Sequence, residues 1–190
     1  CLVLATVIGS ALWGDKLLDW MIQGYGIRDF TPAQRLLTEP RVVIFYLGQL
    51  LWPHPARLNL DHDFSISHSL LDPMTTFFAI LVIAALIGVA VVTAKKQRLL
   101  SFCIVWYFGN LVIESSIIPL EIIFEHRVYL PSMTFSLFIV LLVYRWIKPM
   151  WLPAALLCAM VAVSAVWTYE RNAVYSDRIT FWQDCVDKSP

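Results

Sequence analysis

Long apolar runs alternate with short polar clusters along the whole chain. Residues 74–94 carry no charge. At 1.5 Å per residue they cover about 30 Å, the thickness of a bilayer's hydrocarbon core, and predict a spanning helix. Residues 99–113, 133–144 and 151–168 predict three further spans. Residues 1–13 predict the end of another: Cys1 opens directly on an apolar run with no basic segment before it, so the chain reads as a piece of a longer protein rather than one led by a signal peptide. Residues 41–52 are also apolar, but a dozen residues are too few to cross comfortably. Thr31-Pro32 predicts a helix start, with Thr31 as N-cap and Pro32 at the first helical position. A second short helix is expected after Pro40. The pattern predicts an all-α, polytopic transmembrane helical bundle: a membrane domain over 1–168 with polar loops at 14–73 and 114–132, and a polar linker over 169–190.

Composition agrees. The 190 residues are 59% hydrophobic and only 15% charged, with a mean hydropathy of +0.69; soluble domains carry about a quarter charged residues. Formal net charge is zero, so no overall field draws in nucleic acid. None of the four cysteines is spaced as a metal ligand or a disulfide framework. Charge placement predicts the orientation. The two tight turns carry Lys95, Lys96, Arg98, Arg145 and Lys148 and no acid, while all fourteen Asp and Glu residues lie elsewhere. The positive-inside rule makes these turns cytoplasmic and puts both polar loops and the C-terminal linker on the far side. Trp146, Trp151, Trp167 and Tyr169 suit an interfacial aromatic belt.

The candidate chemistry sits in the two loops. Residues 114–127 hold Glu114, Glu121, Glu125, His126 and Arg127, and charges beside membrane spans are expensive enough to be functional candidates. Glu121 and Glu125 are four apart; on a helix they would repel and need a cation, for which Arg127, Arg57 and His126 are candidates. Two readings of Arg127 compete. Its planar fork suits a phosphate at the membrane edge, or it staples a carboxylate of its own loop. The second cluster runs from Asn59 to His68. Asp61, His62, Asp63 and His68 are residue types that bind divalent cations, but their spacing matches no standard motif. No metal site is assigned, and contact with structure or substrate is preferred. A hydrolase elbow, a Walker sequence and a nicotinamide fingerprint are all absent from the sequence.

At these residues a family likeness emerges. Leu58-Asn59-Leu60-Asp61-His62-Asp63, together with Glu125-His126-Arg127-Val128-Tyr129-Leu130-Pro131-Ser132, resembles bacterial multi-spanning proteins that carry C-terminal tetratricopeptide repeats. The second element is also similar to one in the transmembrane and tetratricopeptide-repeat O-mannosyltransferases. The closing Trp182–Pro190 stretch looks like the lead-in to a first repeat. The resemblance spans about residues 40–190. It implies a GT-C type glycosyltransferase in a bacterial cytoplasmic membrane. Such an enzyme moves a sugar from a polyprenyl-phosphate donor to a protein or glycan acceptor on the periplasmic face, among membrane lipids. It also implies a catalytic carboxylate upstream of this segment, with Asp61, His62, Asp63, Glu125, His126, Arg127 and Tyr129 contacting substrate here. It calls for no cofactor, although a divalent cation would suit the carboxylates. The alternative is a non-catalytic membrane anchor for a repeat scaffold. A transporter would need charges deep inside the spans, and the pattern puts none there.

Overall fold

The computed structural model describes residues 19, 23–59, 62–112, 114–149 and 151–188. Among them there are helices and no strands. In chain order the α-helices are α1 (Pro32–Leu51), α2 (Thr75–Thr93), α3 (Arg98–Leu111), α4 (Tyr129–Trp146), α5 (Trp151–Tyr175) and α6 (Arg178–Lys188). Two 3₁₀ turns, Pro55–Arg57 and Glu125–Val128, interrupt the polar loops.

Among the described residues, three helical segments are long and apolar enough to cross a membrane: Thr75–Thr93, Glu125–Trp146 and Trp151–Tyr175. Their surfaces are oily rather than buried. Phe77, Phe78, Leu81 and Val82 on α2 and Val161, Val163 and Val166 on α5 are all exposed, a pattern suited to lipid and costly in water. The expected span at 99–113 differs. Helix α3 has only 14 residues, about 21 Å at 1.5 Å each, short of a full crossing. Residues 1–13 lie outside the described residues. Trp106 Nε1 donates to the Leu130 carbonyl at 3.2 Å, and Cys103 Sγ to that of Thr134 at 3.5 Å. This pairing makes α3 and α4 antiparallel neighbours. The two basic turns therefore sit at one end of the bundle and the polar loops at the other.

Helix α1 starts as the sequence predicts. Thr31 caps it in a capping box with Gln34, and Pro32 takes the first turn. The expected break at Pro40 is absent: α1 runs unbroken for 20 residues with Pro40 inside it. Proline there forfeits one helical hydrogen bond, and tertiary bonds on the buried face hold the helix through it. That face, Arg35, Thr38, Glu39, Val42, Val43, Tyr46 and Gln49, keeps helical spacing but is polar at one end. Val42, Val43 and Tyr46 pack with Tyr107, Leu111, Ile123 and Val128. The Tyr107 hydroxyl donates to the Val43 carbonyl at 2.6 Å. The buried hydroxyls of Thr38, Ser67 and Thr76 link α1, the first loop and the start of α2: Ser67 N donates to Thr38 Oγ1, and the Ser67 and Thr76 hydroxyls lie 2.8 Å apart.

The C-terminal linker is more ordered than a loose tail. Helix α5 continues past residue 168 to Tyr175, and α6 folds back against the first loop. Lys188 Nζ donates to the carbonyls of Pro55 and Leu58 at 3.1 Å, Asp184 pairs with Arg171 and Lys188, and Cys185 is buried.

Candidate functional site

The second loop is held from below by buried charge. Arg35 is fully buried. It pairs with Glu39 at 2.7 Å and donates to the carbonyls of Glu114 at 2.8 Å, Ser116 at 2.9 Å and Leu120. One guanidinium thus collects three carbonyls from residues 114–120. Arg127 does the same from the other side. Its Nε lies 3.0 Å from a Glu114 carboxylate oxygen, and its Nη1 and Nη2 donate to the carbonyls of Ile122 and Glu121. Its side chain is only 3% exposed. Arg127 therefore faces inward and staples its own loop, and its partner is Glu114 rather than the carboxylates of Glu121 or Glu125. Glu121 and Glu125 do not share a helix face, because the segment between them is irregular.

Burial raises the Glu39 carboxyl to about 7, against the opposing pull of Arg35 and Arg127. A carboxyl raised in this way favours the folded state while it is protonated. Its contribution is whole below its ordinary value of 4.5 and is lost as pH rises through about 7. Stability should therefore fall between those two values, and Glu39→Gln should flatten the fall. Thermal unfolding in detergent at stepped pH checks this; an unchanged slope in Glu39→Gln would discard the assignment.

Above this base the two polar loops meet. His62 Nε2 lies 3.1 Å from Glu125 Oε1. The same oxygen accepts from the Asn59 amide at 2.9 Å and from Gln49 Nε2 at 3.3 Å. The His62 ring stands edge-on to Phe45, with centroids 5.2 Å apart. Tyr46 ties the second loop to α1: its hydroxyl accepts from Phe124 N at 2.7 Å and donates to the Phe124 carbonyl at 3.0 Å. From a third direction, residues 23–30 dock on the second loop. Tyr25 donates to the Ile117 carbonyl at 2.7 Å and Arg28 pairs with Glu121. Gly24 lies so close to Pro119 that a Cβ would sit 2.5 Å from its ring.

These elements enclose a cleft of about 320 Å³ lined by Phe30, His62, Phe64, Glu121, Ile122, Ile123, Phe124 and Trp182. Four aromatic side chains, two isoleucines, one imidazole and one carboxylate make its wall. Trp182 comes from α6, so the C-terminal linker completes the site.

The sequence-derived candidates divide accordingly. His62 and Glu125 come together at the cleft. His126 is exposed and stacks on Phe124 at 5.1 Å. Tyr129 is exposed at the start of α4, and Asp63 is exposed beside His62. His68 turns to Gln34 at 3.0 Å, away from the cluster it was grouped with. Asp61 lies outside the described residues. Among the described residues, no three His, Cys, Asp or Glu side chains are grouped to hold a metal ion. Comparison with protein-family models, with curated proteins and with solved structures finds no match to this chain. Phe30, Phe64 and Trp182 carried no sequence signal as site residues, since isolated aromatics in a membrane protein read first as belt or core. Arg28 and Gln49 were equally silent.

Proposed function

We propose that this chain is the part of a membrane glycosyltransferase that holds a polyprenyl-phosphate-linked sugar on the periplasmic face of a bacterial cytoplasmic membrane. The cleft carries this reading. Its rings offer flat apolar faces to the C–H side of a sugar, while His62 and Glu121, with Glu125 behind His62, offer hydrogen-bond partners for hydroxyls. Arg127 is spent internally, so Arg28 is the cation for the donor phosphate. It pairs with the half-exposed Glu121 at the cleft, and exchanging that carboxylate for phosphate would keep its charge satisfied.

Full-length protein in lipid nanodiscs, titrated with polyprenyl-phosphate-linked mannose, tests this. Saturable binding is expected, weakened about tenfold by Trp182→Ala, the scale of one aromatic stacking contact. Lack of saturable binding to this donor and to its hexose analogues would remove the reading. The orientation has its own test. In a cysteine-free background, single cysteines at the exposed positions Gln97 and Leu70 should differ, with only position 70 labelled by an impermeant reagent in intact cells. Equal labelling at both would refute the topology.

A second reading, a membrane anchor for a tetratricopeptide-repeat scaffold, draws on one observation. Ile179, Trp182 and Val186 form an exposed stripe along α6 at the i, i+3, i+7 spacing of a docking face. An anchor would hold a following repeat through this stripe and bind no donor.

A further inference from the structure

Three arginines converge on residues 114–128, and one of them has donors to spare. Arg35 and Arg127 commit every side-chain nitrogen. Arg35 takes Glu39 and the carbonyls of Glu114, Ser116 and Leu120; Arg127 takes Glu114 and the carbonyls of Glu121 and Ile122. Arg28 bonds through Nη1 alone, to Glu121, and its buried Nε has no partner among the described residues. We infer that Glu121 is a masked sugar acceptor: donor phosphate draws Arg28 away, and the freed carboxylate then takes a sugar hydroxyl. This rests on the sugar-transfer reading above and makes phosphate and sugar coupled ligands of one site.

The surroundings of Glu121 allow its side chain to move while its backbone stays. Its carbonyl accepts from Arg127 Nη2 at 2.8 Å and from Arg35 Nη1 at 3.3 Å, so two buried cations pin the main chain. Its carboxylate lines the cleft, half-exposed, with Arg28 as its one partner among the described residues. The segment that carries Arg28 also stays in place without the ion pair. Tyr25 donates to the Ile117 carbonyl and Gly24 abuts Pro119, and neither contact involves Arg28.

The unused nitrogens of Arg28 offer a phosphate more donors than Glu121 engages. A bare carrier phosphate would break the ion pair and leave the Glu121 carboxylate facing a second anion. A sugar on that phosphate brings hydroxyl donors, and a carboxylate can only accept. A neutral sugar alone meets Glu121 still covered by Arg28. The cleft therefore favours sugar and phosphate joined over either one separately.

The test uses full-length protein in nanodiscs and two probes, polyprenyl-phosphate-linked mannose and polyprenyl phosphate without sugar. Glu121→Ala removes the mask and the acceptor together. The bare carrier should bind about two- to fivefold more tightly, the factor set by one partly exposed ion pair. The mannose donor should bind about tenfold more weakly, because it loses a charged hydrogen bond. Opposite signs for the two probes are the signature of the coupling. Gains with both probes would make Glu121 a latch alone, and losses with both a structural brace. A donor loss with unchanged carrier affinity would make it a sugar contact that Arg28 does not mask. Each of these overturns the inference and leaves the transfer reading standing. An unsubstituted protein with no saturable binding of this donor or its hexose analogues would end both. Should Glu121→Ala fail to fold, Glu121→Gln keeps an amide oxygen for the hydroxyl and drops the charge that holds Arg28. It should raise carrier affinity by the same factor, and unchanged carrier affinity would equally overturn the proposal.

Discussion

Arg35→Met should cost about 3–5 kcal/mol of stability, the scale of breaking a buried ion pair from one side. Arg35 is fully buried, and it is both the ion-pair partner of Glu39 and the donor to the carbonyls of Glu114, Ser116 and Leu120. Methionine fills much of the volume and supplies no donor. It strands the Glu39 carboxyl in a site where burial already penalises its charge, and it releases the loop that carries Glu121, Phe124 and Glu125 to the cleft. Loss of the site should follow loss of the loop. Thermal unfolding in detergent, with hydrogen exchange over residues 114–128, reads both effects. Removing Glu39 as well, in Arg35→Met/Glu39→Leu, should recover part of the stability, because no lone charge remains. If Arg35→Met alone unfolds within about 1 kcal/mol of the unsubstituted protein, the buried network is incidental.

Arg127→Lys should destabilise the protein by about 1–3 kcal/mol and leave donor affinity unchanged in the folded fraction. Lysine keeps the charge for Glu114 but has no planar fork to reach the Ile122 and Glu121 carbonyls as well. Two part-buried carbonyls lose their hydrogen bond from Arg127, and the cation is retained. The informative measurement pairs melting temperature with donor affinity on one sample. A normal melting temperature with weakened donor binding would return Arg127 to the phosphate and displace Arg28 from that role. The two arginines differ in a useful way. Arg127→Lys probes geometry at constant charge, whereas Arg35→Met removes the charge itself, so together they separate hydrogen-bond reach from charge compensation in the same loop.

Helix α6 is tied into the fold. Lys188 and Asp184 tie it to the first loop and to α5. Trp182 lines the cleft. Ile179 and Val186 beside it stay exposed.

Much of this architecture was legible in the chain itself. Uncharged runs of about 20 residues can satisfy their backbone only as helices in lipid, so α2, α4 and α5 follow from local composition, and the short turns set α2 against α3 and α4 against α5 as antiparallel pairs. Thr31-Pro32 specified the start of α1 because capping is a matter of three or four adjacent residues. The two polar clusters stood out as candidate sites because charge is scarce everywhere else. Where those charges point was decided only in three dimensions. Arg35 and Glu39 are an ordinary i, i+4 pair in the sequence and a buried foundation in the structure. The sequence left Arg127 between a phosphate clamp and a staple on its own loop, and the fold turns it inward to Glu114. His62 and Glu125, 63 positions apart, and Arg28 and Glu121, 93 apart, find each other only when α1 packs against the end of the bundle. Hydrophobic spacing is read one turn at a time, which is why it yields helices. The partner of a buried charge is chosen by desolvation and by the distant groups folding brings within about 3 Å, so the cleft belongs to the tertiary structure.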